Sequence, residues 1–467
     1  MLYVFLGAIS FILLILANMY ENILLGAITL ITLWAIFFAW GVKKWKEYVL
    51  VCLFLIAFFL FLIGSYLDFL TGNYISSFNN EIELFIINML YFSLVLIWCG
   101  CILNRYLKVI ISGNGMNFHF LKSERSRFLY RKPALIIFWV TYPCYMIEIL
   151  DKVNFVRHNG YLEYYKTYQY SNIFIRYGSI TCIFFFFLFL ACFPPKKQVF
   201  FPFVAYLIAN ILSIFSGRRT DMVTAMMFIF FYFLYRECVG DQETWFKKGY
   251  IKMVIIATPL LMAFLGYWAY YRSDTVKADK TILDYLFYFI SSNGVSKEII
   301  GHAYELKDTL RSLGRHSYTL GFLVRTLSGS NLAQTSIEMA NSGTSLGASI
   351  TYIKDIYIYN LGGGFGTCYI AEVWTDFGIL GVVIYNLILG LLLTKIGNLK
   401  KDDTLQLVLA FYVVQKLFIL PRSEALCMIT DFFSNLFLVL FIGCTLIVNG
   451  KKNNSRTHEI SQIYFCK

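Results

Sequence analysis

Two short polar segments, SGRRTD (216–221) and PRSE (421–424), stand between long apolar runs and carry residues that could do chemistry. The guanidinium groups of Arg218, Arg219 and Arg422 stay charged at any working pH, and their planar donor fork suits two hydrogen bonds to one phosphate. A cation at membrane depth is costly unless it faces the protein interior or a wet cavity. Several such arginines together predict a pocket for a pyrophosphate-bearing ligand.

A local explanation also remains open for each arginine. Asp221 could pair with Arg218 or Arg219, Glu424 could pair with Arg422, and long side chains can reach the membrane surface without any ligand. The wider set of charged candidates comprises the catalytic carboxylates Asp221, Glu372 and Glu424 and the substrate-binding arginines Arg176, Arg272 and Arg325.

The tyrosine-rich stretch YLEYYKTYQY (161–170) is a second candidate feature. Tyrosines are common at membrane interfaces, but their rings also form platforms for sugars while the phenol groups hydrogen-bond hydroxyls. On the second interpretation Tyr165 and Tyr168 bind substrate. His302 and His316 are either surface polar residues or substrate-binding groups, one of which could serve as a general base toward a sugar hydroxyl.

Two further patterns argue against a cofactor. NSGTSLGASI (341–350) and GGGFG (362–366) lack the GK[ST] ending of a nucleotide loop, so they predict flexible backbone that could approach a ligand closely. No pair of histidines has the spacing of metal ligands, so we predict no metal and no other cofactor.

The elements that must position these residues are membrane helices. The chain of 467 residues is 58% hydrophobic with only 15% charged residues, and apolar runs near 20 residues long recur throughout. The net charge of +12 comes from basic loops such as KKWKE (43–47), RFLYRK (127–132) and PPKK (194–197). These alternate with loops poor in Lys and Arg, which is the positive-inside pattern and not that of a nucleic-acid-binding protein.

We therefore predict an all-α polytopic membrane protein, with residues 1–467 forming one membrane domain. Both termini would be cytoplasmic and the site would face the periplasm of a bacterial inner membrane. About twelve spans are expected, at 2–20, 23–42, 48–67, 83–103, 133–150, 173–193, 199–215, 222–239, 251–270, 368–393, 404–420 and 425–448. The long outward loop 271–367 would connect the ninth and tenth spans, and within it 284–306 predicts an amphipathic helix at the outer interface.

Two segments, LSIFSGRRTDMVTAMMFIFFYFLY (212–235) and GGGFGTCYIAEVWTDFGILGVVIYNLILGLLL (362–393), resemble the oligosaccharide repeat-unit polymerases of the Wzy type. In that family a Gly-Arg turn opens one span, and glycines, then Ala-Glu, Phe-Gly and Gly open a later span. Family members often have a small residue where Arg219 stands, so either arginine of the pair could carry the matching role. The matching positions are Gly217, Arg218, Gly363, Gly366, Ala371, Glu372, Phe377, Gly378 and Gly381.

The resemblance implies a glycosyltransferase whose donor is a glycan on undecaprenyl pyrophosphate and whose acceptor is one lipid-linked repeat unit. The acceptor hydroxyl would attack the anomeric carbon of the donor, and the arginines would stabilise the departing pyrophosphate. It also implies the lipid bilayer and a chain-length regulator as partners. The alternatives are an O-antigen ligase, which transfers the finished chain to lipid A core, and a lipid-linked oligosaccharide flippase or other transporter.

Overall fold

The computed structural model describes residues 2–72, 74–112, 124–168, 172–240, 243–245, 248–272, 281–313, 316–328, 335–399 and 404–446. Every regular element within these ranges is helical, as the sequence predicts. The helices are α1 (Leu2–Met19), α2 (Ile23–Lys43), α3 (Trp45–Phe58), α4 (Asp68–Thr71), α5 (Asn80–Ser112), α6 (Glu124–Asn159), α7 (Tyr161–Thr167), α8 (Ile173–Ala191), α9 (Lys196–Leu212), α10 (Arg219–Cys238), α11 (Lys248–Arg272), α12 (Ile282–Asn293), α13 (Glu298–Glu305), α14 (Lys307–Leu313), α15 (Gly321–Ser328), α16 (Ile337–Asn341), α17 (Leu346–Lys354), α18 (Ile356–Asn360), α19 (Tyr369–Gly397), α20 (Thr404–Leu417) and α21 (Asn435–Leu446).

A helix covers each of the twelve predicted spans, but not all are long and apolar enough to cross a membrane alone. Within the described residues seven helical segments pass that criterion, and a bent pair, Cys427–Phe433 with Asn435–Leu446, could supply an eighth. Among the others, α20 has 14 residues, which at 1.5 Å per residue fall short of a hydrocarbon core about 30 Å thick. The protein is a multi-pass membrane protein, and the number twelve stays a prediction.

The third predicted span is broken near one end. Helix α3 passes into a π-helical turn, Phe59–Ile63, and then into a 3₁₀ turn, Gly64–Leu67. The last span is broken too, because the 3₁₀ turn Cys427–Phe433 meets α21 at 74°. Interruptions of this kind commonly lie at functional sites, because they redirect side chains and free backbone groups.

The centre of the bundle is formed by α5 and α19, whose backbones touch through glycine. A Cβ on Gly100 would collide with the carbonyl oxygen of Leu387, and a Cβ on Gly390 would collide with that of Ile97. Small residues allow such close approach, which gives van der Waals contact where no hydrophobic driving force acts between helices. Helix α19, which carries Glu372, is thereby fixed in the core.

The connection between α11 and α19 folds into short helices that pack on the bundle. The stretch 284–306, predicted as one amphipathic helix, is helical but is divided into α12 and α13 by a 3₁₀ turn, Gly294–Lys297. Its position at an outer interface stays a prediction. A Cβ on Gly294 would collide with the backbone nitrogen of Ser65, in the broken end of the third span.

A buried ion pair anchors this connection. The Lys297 ammonium lies 2.6 Å from a carboxylate oxygen of Glu83 in α5, and Lys297 and Glu83 are both buried. The hydroxyls of Tyr66, Tyr74 and Ser76 donate to the same carboxylate at 2.9, 2.5 and 3.0 Å. Buried charges are tolerated when they are paired and hydrogen-bonded in this way.

Candidate functional site

The SGRRTD segment forms a tight turn between α9 and α10. After α9 a 3₁₀ turn, Ser213–Ser216, leads to Gly217, whose φ of 83° is readily adopted only by glycine. Arg218 then caps α10 and Arg219 is its first residue. The side chains of Arg218 and Arg219 therefore both extend from a helix N-terminus, where the exposed N–H groups and the helix dipole also favour anions.

The PRSE segment forms a second turn, after α20. The 3₁₀ turn Leu420–Arg422 is followed by extended backbone at Ser423. Helix α19 holds the segment in place, since the Ala425 N–H donates to Glu372 at 2.8 Å and the Tyr385 hydroxyl donates to the Ala425 carbonyl at 2.5 Å. Arg422 donates to the side-chain carbonyl of Asn293 at 3.3 Å, which links the turn to α12.

The tyrosine-rich stretch forms the third part of the site. Tyr161, Tyr164 and Tyr168 are spaced by three and four residues, so they share one face of α7 and its C-cap. The Tyr168 hydroxyl donates to Asp151 at 2.9 Å, and the rings of Tyr164 and Tyr168 lie 4.9 Å apart.

These three parts surround a cavity of about 500 Å³, here named the arginine cavity. Its lining includes the three arginines of the two polar segments, the three tyrosines and two residues of the π-helical turn. The described lining residues are Leu60, Phe61, Tyr161, Tyr164, Tyr168, Gly217, Arg218, Arg219, Thr220, Val223, Phe289, Asn293, Ile419 and Arg422. The arginines of the SGRRTD and PRSE segments, which are far apart in the sequence, thus line the same cavity.

A second cavity of about 550 Å³, the glycine cavity, adjoins the first at Tyr161 and Arg422, which line both. Its lining combines glycine backbone, hydroxyl groups and the carboxylate of Glu424. It consists of Tyr161, Leu162, Thr335, Ser345, Gly347, Ala348, Thr351, Tyr359, Gly362, Gly363, Gly364, Gly366, Thr367, Arg422, Ser423 and Glu424. Closely spaced donors and acceptors of this kind match the hydroxyls of sugars.

Each predicted carboxylate has a different setting. Asp221 lies 3.2 Å from the Nε of Arg218, so the local pairing that the sequence left open is present. Glu424 lines the glycine cavity and accepts from Arg325 at 2.8 and 3.1 Å. Glu372 is 1% exposed and accepts hydrogen bonds from the Thr367 hydroxyl at 2.7 Å and from the Ala425 N–H. It therefore supports the two backbone segments around these residues, which lead into the lining of the glycine cavity.

The predicted histidines lie away from both cavities. His302 is buried in α13, with its ring 4.8 Å from that of Phe78 and 5.2 Å from that of Phe365. Burial lowers the pKa of His302, as does Lys354, while Glu305 acts in the opposite direction. His316 is exposed on the connection between α14 and α15.

Arg176 and Arg325 are also not among the described lining residues of either cavity. Arg176 lines a separate cavity on α8. Arg325 pairs with Glu424 of the glycine cavity and also donates to the Thr344 carbonyl. The predicted side chains of Arg272 and Tyr165 lie outside the described part of the structure, although the backbone of each belongs to a helix, α11 and α7 respectively.

Several site residues were missed from the sequence. Tyr161 and Tyr164 could have been selected with Tyr168, because helical spacing places them on the same face as Tyr168. Asn293 and Tyr359 carried no comparable signal. Burial raises the pKa of Tyr359 to about 12, so its phenol stays protonated and donates to the Ser336 carbonyl at 2.8 Å.

No group of three His, Cys, Asp or Glu side chains in the described ranges could hold a metal ion. Metal independence stays a prediction.

Comparison with known proteins gives one result that covers the chain. No curated protein and no solved structure matches it significantly. The model of the family described as "O-antigen polysaccharide polymerase Wzy" matches residues 1–454. The chain belongs to the Wzy family of O-antigen polysaccharide polymerases.

Proposed function

We propose that the chain transfers a growing glycan from undecaprenyl pyrophosphate to a lipid-linked repeat unit. The observation that carries this proposal is the junction of the arginine cavity with the glycine cavity at Arg422 and Tyr161. The positive charges of three guanidinium groups outnumber the negative charge of Asp221, which suits the binding of a pyrophosphate. The hydroxyl-rich glycine cavity suits the sugars attached to that pyrophosphate.

The reaction is a displacement at the anomeric carbon of the donor. The oxygen of an acceptor hydroxyl bonds to that carbon, the bond from the carbon to the bridging pyrophosphate oxygen breaks, and its electron pair leaves with undecaprenyl pyrophosphate. Negative charge therefore grows on the leaving group in the transition state. Arg218, Arg219 and Arg422, already in place around the cavity, stabilise that charge without reorganisation.

The proton of the attacking hydroxyl needs an acceptor. Glu424 supports this role best, because its carboxylate lines the glycine cavity two residues after Arg422. Arg325 orients the carboxylate with two hydrogen bonds, and a carboxylate held near a reacting hydroxyl can act as a general base. Glu372, in contrast, supports the backbone at Ala425.

The orientation follows from the charged loops. Since the basic segments alternate with loops poor in Lys and Arg, we place both termini in the cytoplasm and both cavities on the periplasmic face of the inner membrane. A reaction on this face can use no nucleotide sugar from the cytoplasm, which agrees with a donor that is already activated as a lipid pyrophosphate. A separate chain-length regulator would act from the same side.

Deletion of the gene tests the proposed function. Surface glycan is separated on a gel, lipid-linked intermediates are analysed in parallel, and the deleted strain is complemented with the wild-type chain or with Arg218→Ala/Arg219→Ala at equal protein level. A polymerase predicts lipid A core capped by a single repeat after deletion, and polymer restored by the wild-type chain only. Full-length polymer stranded on undecaprenyl pyrophosphate would instead identify a ligase, and single repeats trapped on the cytoplasmic face would identify a flippase.

A further inference from the structure

A third cavity, of about 440 Å³, lies beside α8 and is here named the lateral cavity. Its walls come from α6, α8, α15, α20 and the broken last span. The described lining residues are Glu148, Arg176, Ser179, Ile180, Ile183, Phe322, Thr326, Tyr412, Thr430, Asp431, Phe433, Ser434 and Phe437. None of them lines the arginine cavity or the glycine cavity.

The polar lining of the lateral cavity carries one guanidinium, several hydroxyls and two carboxylates. The guanidinium is that of Arg176, and the five hydroxyls are those of Ser179, Thr326, Tyr412, Thr430 and Ser434. The two carboxylates each have a lysine partner, because Lys152 lies 2.5 Å from Glu148 and Lys416 lies 3.3 Å from Asp431.

The other lining residues of the lateral cavity include the apolar side chains of Ile180, Ile183, Phe322, Phe433 and Phe437. A pocket that holds a cation, hydroxyl groups and apolar side chains fits a ligand with a phosphate head and an isoprenoid tail.

Helix α15 contributes to the surroundings of both the lateral cavity and the glycine cavity. Phe322 and Thr326 line the lateral cavity. Arg325, which precedes Thr326 on the same helix, holds Glu424 in the wall of the glycine cavity. The same short helix therefore links the lateral cavity to the proposed proton acceptor.

We propose that the lateral cavity binds the polyprenyl pyrophosphate of the acceptor, while the arginine cavity binds that of the donor. This inference rests on the proposed function, which requires two lipid-linked substrates on one chain. The donor reacts at the carbon bonded to its pyrophosphate, so its pyrophosphate must lie beside the reacting atoms. The acceptor reacts through a sugar hydroxyl of its repeat unit, so its pyrophosphate must lie away from the reacting atoms, at the distance its sugars span.

The binding stoichiometry of undecaprenyl pyrophosphate carrying no sugars tests this inference. Radiolabelled lipid is titrated onto the purified full chain in lipid nanodiscs, and bound lipid per chain is counted for the wild type, for Arg176→Gln and for Arg218→Gln/Arg219→Gln. Arg157→Gln is the matched control, because Arg157 is an exposed arginine near the end of α6. We expect two sites in the wild type and the control.

In Arg176→Gln one site should weaken by about tenfold or more, the loss expected for one charge-assisted hydrogen bond. The other site should be retained, which also shows that the variant is folded. In the Arg218→Gln/Arg219→Gln variant, the site that depends on Arg176 should be retained and the other site should weaken.

The outcomes separate the inference from the proposed function. A single wild-type site that depends on Arg218 and Arg219 but not on Arg176 would overturn the lateral cavity and leave the polymerase proposal standing. Equal displacement of the Arg176-dependent lipid by phosphatidylglycerol would also overturn it, because the cavity would then be a site for any anionic lipid. Binding that is insensitive to Arg218 and Arg219 would remove the basis of the proposed function itself.

Discussion

Glu424 and Arg422 stand two residues apart and contribute opposite charges to the glycine cavity. Arg325 pairs with Glu424, and Arg422 donates a hydrogen bond to the side chain of Asn293. The arrangement keeps a carboxylate and a guanidinium side by side at the junction of two cavities. On our proposal one takes a proton while the other stabilises the leaving group.

The first prediction concerns Glu424→Gln. Loss of a general base lowers rates by roughly 10²–10⁴, so we expect the initial rate of glycan transfer to fall within that range. Binding of undecaprenyl pyrophosphate should be unchanged, because the amide keeps the size of the side chain and leaves the arginine cavity intact.

The control is Glu338→Gln, an exposed carboxylate in the first turn of α16. If the Glu424→Gln protein transferred glycan at the wild-type rate, another group would have to accept the proton.

At the scale of single residues, the sequence singled out the three arginines, the carboxylates and the local pair of Asp221 with Arg218, but not the distant partner of Glu424. A charged side chain at the end of an apolar run has an unfavourable free energy in any fold, so such a residue can be recognised from the sequence alone. Arg325 pairs with Glu424 across 99 positions, and no local pattern contains such a contact. The expectation that Glu424 pairs with Arg422 came from sequence proximity alone.

At the scale of elements, the glycine loop 362–366 and α7 position one another. Gly362 has a φ of 89°, and a Cβ there would lie 2.5 Å from the carbonyl oxygen of Leu162 in α7. The Thr351 hydroxyl accepts from the Phe365 N–H at 3.1 Å and fixes the other side of the loop. A small change in this loop should therefore move the tyrosines of both cavities.

The second prediction compares Gly362→Ala with Gly240→Ala. Alanine at a positive φ costs about 1–3 kcal/mol, and the clash at position 362 would displace α7. We expect Gly362→Ala to reduce transfer and to raise the KM for the lipid-linked acceptor. Gly240 has a similar φ of 75°, no heavy atom within 4 Å of an added Cβ and no place in the described lining of either cavity, so that variant should retain activity. Equal activity of the two variants would argue against a positioning role for the loop.

Helix positions followed from hydrophobicity, whereas the breaks did not. The π-helical turn at Phe59–Ile63 lies in FLFLI, which reads as uninterrupted span. The 74° bend of the last span follows CMITDFF, whose polar Thr430 and Asp431 were placed inside a predicted span. Such breaks depend on what packs against them, as Gly294 does against Ser65. Tertiary contacts also determine where the helical stretch 284–306 is divided, and hydrophobic periodicity does not encode such contacts.

At the scale of the whole molecule, the ion pair between Glu83 and Lys297 joins the bundle to the connection that carries part of the glycine cavity. The connection contributes α15 and the glycine loop, while the bundle contributes the arginines. The relative position of the two cavities thus depends on contacts such as this one, made 214 residues apart. No local pattern in the sequence pairs these two residues.

The third prediction is that Lys297→Met destabilises the protein by about 3–5 kcal/mol, because it leaves Glu83 charged and buried without a counter-charge. Thermal unfolding in detergent measures the loss. Glu83→Gln/Lys297→Met removes both charges and should recover most of the stability. A double variant no more stable than Lys297→Met would show that the charge of Glu83 is not what the lysine compensates.

The most direct test of the arginine cavity is the initial rate of glycan transfer by the purified chain in vesicles containing its lipid-linked repeat units. We predict that Arg218→Gln and Arg219→Gln, singly or together, lower the rate by roughly 10²–10³, the loss expected when a preorganised donor to a developing anion is removed. Arg157→Gln should transfer at the wild-type rate. If the Arg218→Gln/Arg219→Gln chain, at equal protein level, also matched the wild type, the arginines would not stabilise the leaving group and the account would be contradicted.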